Sequence, residues 1–173
     1  RTESALRDCL ALGVDDAYLL TDPMFIGSDP QGLARILAAG LKKLGQFDLV
    51  LAGKQAIDSD SAQVPAAVAA HLDLPQAMFV KKIESYDGGK ARVFRTTEDG
   101  YEVVELTLPA VISVVMEIIE PRLPSLKGKM AAKKKEIIKW SAADLGLSGE
   151  GLGVQSKTKT LSVTPPPPRS KGE

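Results

Sequence analysis

The sequence predicts an α/β fold built on a parallel sheet, and three observations lead there. Helix-period and strand-like runs alternate over residues 3–75, the order that crossover helices between parallel strands require. The strand-like runs in that part, AYLLTD (17–22) and FDLVLAG (47–53), are mostly apolar without strict alternation, as strands covered on both faces are. Beyond them come three longer strand-like runs with glycine-containing turns, so an antiparallel meander is expected to follow.

Each element has a local reason. ESALRDCLAL (3–12) reads as a helix closed by Gly13, the residue suited to the left-handed position after a helix. Ser28, Asp29 and Pro30 form a helix start: a capping side chain, then proline in the first turn. The helix they open carries Leu33, Ile36, Leu37, Leu41 and Leu44 on one face and stops at Gly45. After FDLVLAG, residues 62–72 read as a helix, with Pro65 tolerable only in its opening turn. MFVKKIESY, ARVFRTT and YEVVELTL are the meander strands, joined at Tyr86-Asp87-Gly88-Gly89 and Glu98-Asp99-Gly100. PAVISVVM (109–116) is apolar but for Ser113 and is expected as a central strand. From Glu117 regular structure thins. Residues 122–140 read as a loop, a short basic helix and a strand-like tail, SGEGLGVQSKTK (148–159) as flexible by composition, and TPPPPRSKGE as an extended, polyproline-like end.

Bulk properties narrow the function. A chain of 173 residues suffices for one sizeable domain. Lysine plus arginine and aspartate plus glutamate number 22 each, so no global field favours nucleic acid or an anionic membrane. No apolar run reaches the roughly 18 residues that span a bilayer, so neither nucleic-acid binding nor membrane insertion is expected. A single cysteine, Cys9, excludes a disulfide framework and fits a reducing compartment. Cys9 reads as a small packing residue and His71, the one histidine, as structural. No catalytic residue and no metal site is expected. The chain opens at Arg1 rather than methionine, which suggests that an N-terminal segment is missing.

The stretch most suited to chemistry is Gly53, Lys54, Gln55, Ala56, Ile57, Asp58, Ser59, Asp60, Ser61, Ala62, Gln63 and Val64, directly after the second strand. Ligands of open α/β sheets sit at the carboxyl ends of the strands. Gly53 lets backbone approach a ligand closely. The amides of Ser61, Ala62, Gln63 and Val64 are candidate phosphate donors at a helix start. Gln55 and Gln63 suit a base or sugar, and Asp58 and Asp60 suit ribose hydroxyls or backbone donors. A plainer reading has Asp60 or Ser61 as the helix N-cap and Lys54 as a solvated charge. Two carboxylates without a third ligand make a poor magnesium site. Neither common nucleotide fingerprint occurs.

DLVLAGKQAIDSDSAQVPAAVAAHLDLPQ resembles the β subunit of electron transfer flavoproteins. VFRTTEDGYEVVELTLPAVIS, with Arg95, Glu98-Asp99-Gly100, Glu102, Val104 and Pro109, fits that family's signature. EPR (120–122), the Leu126 loop, the lysines 133–135 and the PPP-R tail follow in order. The resemblance implies a Rossmann-like parallel sheet of the adenine nucleotide alpha hydrolase type, with an antiparallel meander and an extended C-terminal arm. It implies a nucleotide-binding domain over 1–120, a partner-recognition loop and basic helix over 121–140, and an arm over 141–173 that contacts an α subunit. Family members carry further elements upstream, roughly 65 to 70 residues or about one βαβ unit.

The function implied is that of an electron carrier subunit rather than a stand-alone enzyme. It would move electrons between flavoprotein dehydrogenases, such as the acyl-CoA dehydrogenases of fatty acid oxidation, and a quinone oxidoreductase or other acceptor. Electron bifurcation would be one form of this. One FAD would be shared with the α subunit. In the family the segment matching Gly53–Val64 holds a second nucleotide, AMP or FAD, and the form D-x-D-[ST]-A-Q-V is closer to the FAD-binding branch. Arg95 matches a residue folded toward the flavin, although Thr96 stands where many members have glutamate; a surface arginine without redox role is the alternative. Leu126, with Lys127 and Met130 beside it, matches the loop that anchors partner dehydrogenases; read alone, Leu126 would face a core. The lysines from 127 to 139 would steer an acidic partner or form a solvated face. The implied location is cytoplasmic in a bacterium or archaeon, or the mitochondrial matrix in a eukaryote. The competing class is an adenine-nucleotide-binding module of the ATP pyrophosphatase or stress-protein type.

Overall fold

The computed structural model describes residues 2–165. The polyproline-like end expected over 164–173 therefore lies largely outside the described residues. Helices are α1 (Thr2–Ala11), α2 (Pro30–Leu44), α3 (Val64–Leu72) and α4 (Leu126–Lys134). Strands are β1 (Tyr18–Leu20), β2 (Leu49–Gly53), β3 (Gln76–Asp87), β4 (Lys90–Thr97), β5 (Gly100–Thr107), β6 (Ala110–Val114) and β7 (Ile138–Trp140). Boundaries follow the punctuation in the sequence. Asp29 Oδ1 accepts the Gly32 N–H at 2.8 Å to cap α2, and Gly45 ends that helix at φ +93°. The β3–β4 turn is Gly88-Gly89 with φ +58° and +76°, the handedness that two-residue hairpins favour.

The main sheet has the order β2-β6-β3-β4-β5, and β1 and β7 form a separate parallel pair. β2, β6 and β3 are parallel, whereas β3, β4 and β5 run antiparallel. The Rossmann-like parallel part and the meander thus share one sheet, because β3 belongs to both. Its residues 76–80 pair with β6 and its residues 80–87 with β4. β6 is central as its apolar composition predicts, with Ala110, Val111 and Ile112 fully buried. One core joins Ala77, Val80, Val93, Leu106 and Ile112; a second joins α1, β1, α4 and the approach to β7 through Leu10, Ala17, Ala132 and Ile137. Among the described residues no helix is long and apolar enough to cross a membrane.

Several expectations need correction. The expected leucine face of α2 is its buried face only in part: Ile36 is buried and Leu41 half-buried, but Leu44 is exposed. Gly32, Ala34, Ile36, Ala38 and Gly40 are buried, while Leu33 and Leu37 are 42% and 37% exposed. Close approach is the reason: a Cβ on Gly40 would meet the Leu20 side chain at 2.9 Å. Residues 148–159 are not loose. Gly153 N–H donates to Ser28 Oγ, Asp29 N–H donates to Ser156 Oγ, and Thr158 donates twice to Asp29 Oδ2. The start of α2 therefore ties this segment down. Cys9 is exposed, because α1 turns Leu6, Leu10 and Ala11 inward instead. The basic run is partly committed: Lys135 donates to the Val14 and Asp15 carbonyls, and Lys139 pairs with Glu3 at 3.4 Å.

Candidate functional site

β2 and β6 end level with one another, Gly53 opposite Val114, and the Lys54 N–H still donates to the Val114 carbonyl at 3.0 Å. Beyond that bond the chain leaves the sheet. Asp60 N–H donates to the Ala56 carbonyl at 2.9 Å, and the Gln55 amide donates to Asp60 Oδ1. Asp58 Oδ1 accepts the Ser59 N–H at 2.9 Å. Asp60 and Ala62 hold φ +50° and +52°, a region that side-chain-bearing residues enter at roughly 1–2 kcal/mol each. The loop is therefore shaped, not slack.

α3 begins at Val64 with Gln63 in the cap position and no side-chain cap bond. The N-cap reading of Asp60 or Ser61 is thereby corrected: the Asp60 carboxylate is engaged by Gln55, three residues short of the cap. Among the described residues, the backbone N–H groups of Ser61, Ala62, Gln63 and Val64 have no acceptor. Such donors at a helix start suit an anion.

Two cavities adjoin here. The smaller, about 530 Å³, is lined by Ala52 to Ala56, Asp58, Ser59, Ser61, Ala62, Val64 and Pro65, with Ser28, Pro30 and Leu33 from the start of α2 opposite. The larger, about 1190 Å³, is lined by Gly53, Lys54, Gln55, Phe79, Lys81, residues 95–98, residues 114–119 and Pro121. Gly53, Lys54 and Gln55 form the wall common to both. The structure thus brings nine of the twelve loop candidates onto the smaller cavity. Ile57, which is fully exposed, Asp60 and Gln63 stand outside its lining.

Arg95 lines the larger cavity from β4. Its Nη1 lies 3.4 Å from Glu102 Oε2 on β5, while its Nε is buried without a partner. A freely solvated arginine would leave no such buried donor. Lys54, Lys81 and Arg95 outnumber Glu98 and Glu117 in that lining. Asp29, close to the smaller cavity through Ser28 and Pro30, has its carboxyl held below its ordinary 3.8, first by the Gly32 amide and then by Thr158. Among the described residues no group of three or more metal-type ligands converges.

A second feature lies apart. α4 packs on α1 through Gly128, where a Cβ would press directly on the Ala11 carbonyl oxygen, and through buried Ala132. Leu126 and Met130, one turn apart, are left 76% and 59% exposed, and Lys127 is exposed beside them. The core-facing reading of Leu126 is corrected: the close approach at Gly128 fixes which side of α4 is covered.

Sequence reasoning missed Ser28, Pro30 and Leu33 on one cavity and Phe79, Lys81 and Met116 on the other. Ser28 and Pro30 carried a helix-start signal but none for the cavity. Phe79 carried none at all, because it reaches the cavity through an irregularity in β3.

The family model described as electron transfer flavoprotein domain matches residues 1–145. The chain is 45% identical to the caffeyl-CoA reductase-Etf complex subunit CarD of Acetobacterium woodii, over 97% of this chain and 64% of that protein. It is 42% identical to the electron transfer flavoprotein subunit beta of Thermoanaerobacterium thermosaccharolyticum, over 100% and 66% of the respective lengths. For the subunit beta of Mycobacterium tuberculosis the identity is 40%, over 100% and 65%. The chain thus spans slightly less than two thirds of the length of the curated relatives it matches.

Proposed function

The chain belongs to the electron transfer flavoprotein family, and from that premise we propose that it works as the β subunit of a heterodimeric electron carrier. It docks an α subunit, shares one FAD with it, and exchanges electrons with flavoprotein dehydrogenases and with a quinone oxidoreductase or comparable acceptor. The similarity to a subunit named for a caffeyl-CoA reductase complex favours service to a dedicated reductase complex, with electron bifurcation as one form of it, over fatty acid oxidation alone. Its place is the cytoplasm of a bacterium, in keeping with bacterial relatives.

The observation that carries the cofactor reading is the wall shared by the two cavities. AMP would need only the smaller one. A dinucleotide would reach over both, and the two cavities adjoin at Gly53, Lys54 and Gln55, the backbone it would cross. We therefore assign FAD, not AMP, as this chain's own nucleotide. The smaller cavity takes the adenosine end. There the open amides of Ser61, Ala62 and Val64 favour phosphate, Asp58 suits a ribose hydroxyl, and Gln55 has a second amide hydrogen to donate. The larger cavity takes the flavin ring, where Lys54 and Arg95 favour negative charge and the unpartnered Arg95 Nε gains an acceptor. A bound flavin supplies one- and two-electron chemistry; the residues named here hold it, orient it and exclude water.

Leu126 and Met130 make a compact apolar projection. Burying one leucine in a partner's pocket contributes roughly 1.5–3 kcal/mol, enough to tether a dehydrogenase without a large interface. Electron carriers use small, short-lived contacts of this kind.

The test is to purify the heterodimer and count its nucleotides. Two FAD and no AMP are expected. One FAD with one AMP overturns the assignment of the larger cavity, and no flavin at all overturns the redox reading. An ATP pyrophosphatase or stress-type module would leave both the meander cavity and the exposed Leu126 without a role.

A further inference from the structure

We propose that Phe79 is the stacking platform for the flavin ring, presented to the larger cavity by a bulge built into β3. The inference rests on the flavin reading above and adds a binding residue to it.

The bulge is visible in the register. β3 pairs with β6 as Ala77 opposite Ile112 and next as Val80 opposite Val114. Three steps on β3 match two on β6, so β3 accommodates one extra residue. Within it Phe79 holds φ +64°, a region that bulky side chains avoid. The conformation is over-determined. The Phe79 N–H donates to Ser113 Oγ at 2.9 Å, Ser113 is 1% exposed on the central strand β6, and Val80 is fully buried immediately afterwards. Strain of this kind persists where the surroundings enforce it, and bulges commonly re-aim a side chain beside a functional site.

The re-aimed ring is half-buried and lines the larger cavity, with Lys54 Nζ 5.5 Å from its centroid. A phenylalanine serving only the core would meet that need at an ordinary, unstrained strand position. Here the ring lies at the junction of the two halves of the sheet, among Lys54, Lys81 and Arg95. A planar aromatic ring with carbonyl oxygens on its edge satisfies both parts. Its face stacks on Phe79, and its edge meets the cations. Adenine offers the face but no carbonyl edge, and its chamber is the smaller one.

The experiment compares wild-type heterodimer with Phe79→Leu and Phe79→Tyr. Affinity and visible absorption of this chain's FAD are measured, and AMP binding is measured on the FAD-depleted heterodimer. Phe79→Leu, which keeps apolar bulk but has no ring, is expected to weaken FAD binding about tenfold and shift the flavin absorption band. Phe79→Tyr is expected to match wild type, and AMP affinity is expected to stay within about twofold in both variants. Ser113→Ala should weaken FAD in the same direction, with Ser113→Thr restoring it. Equal FAD affinity and spectrum in Phe79→Leu overturn the platform and leave the flavin reading intact. Joint loss of FAD and AMP in Phe79→Leu identifies a packing residue and also overturns it. A wild-type heterodimer that holds AMP and no second FAD overturns the flavin reading itself.

Discussion

Asp29 shows how much one side chain can coordinate. Its Oδ1 caps α2 and its Oδ2 accepts two bonds from Thr158, so a helix start and a distant segment meet on one carboxylate. Those bonds favour the ionised form and lower the pKa in the folded state. The stabilisation is complete above the unfolded value near 3.8 and is lost as pH falls through the lower folded value. The substitution Asp29→Asn keeps a capping oxygen but removes the titration. In urea denaturation, wild type is therefore expected to exceed Asp29→Asn in stability at about pH 6, with the difference shrinking below about pH 4; a pH-independent difference refutes the linkage. Gly128 is the opposite case, a residue valued for what it lacks. Gly128→Ala is expected to cost roughly 1–3 kcal/mol, because its Cβ would press on the Ala11 carbonyl and outweigh the gain in helix propensity. Unchanged stability would mean that α4 shifts freely on α1. Asp58→Ala should weaken nucleotide binding severalfold through a lost ribose contact, read by calorimetry; unaltered affinity would confine Asp58 to its bond with the Ser59 N–H.

At the scale of elements, α4 and β3 matter most. α4 is short, capped by Ser125 and held by Arg7, which donates to the carbonyls of Ala132 and Lys135 at its end. The exposed pair Leu126 and Met130 therefore projects from a fixed base. Leu126→Ala is expected to slow electron exchange with a partner dehydrogenase about tenfold or more while flavin content is unchanged. An unaltered rate in stopped-flow mixing removes the anchor role. β3 shows the reverse of what its composition suggests. Its pattern reads as an ordinary meander strand, yet its first half is parallel to β6 and its second antiparallel to β4, with the bulge between them.

At the scale of the molecule, two sheets stand with free edges: among the described residues, β1 pairs with β7 alone and β2 with β6 alone. Leu33, Leu37 and Leu51 are exposed in the same part of the chain. Open strand edges with uncovered leucines invite association. The isolated chain is expected to self-associate at micromolar concentration in sedimentation, and a clean monomer would contradict that.

Local chemistry made much of this legible in the sequence. Asp29-Pro30 and Gly45 bounded a helix, Gly88-Gly89 a hairpin, and the run at 110–114, apolar but for Ser113, a central strand, since each depends on neighbours within a few residues. The loop at Gly53–Val64 was legible for the same reason: it follows a strand and precedes a helix. Other features were settled only by tertiary packing. Which face of α2 is covered, whether residues 148–159 are held, where Leu126 points and how Phe79 enters a cavity all depend on partners far along the chain. Those partners are Leu20, Asp29, Ala11 and Ser113. Periodicity registers the side chains an element offers, but burial depends on how closely another backbone approaches. That distance is a property of the fold as a whole.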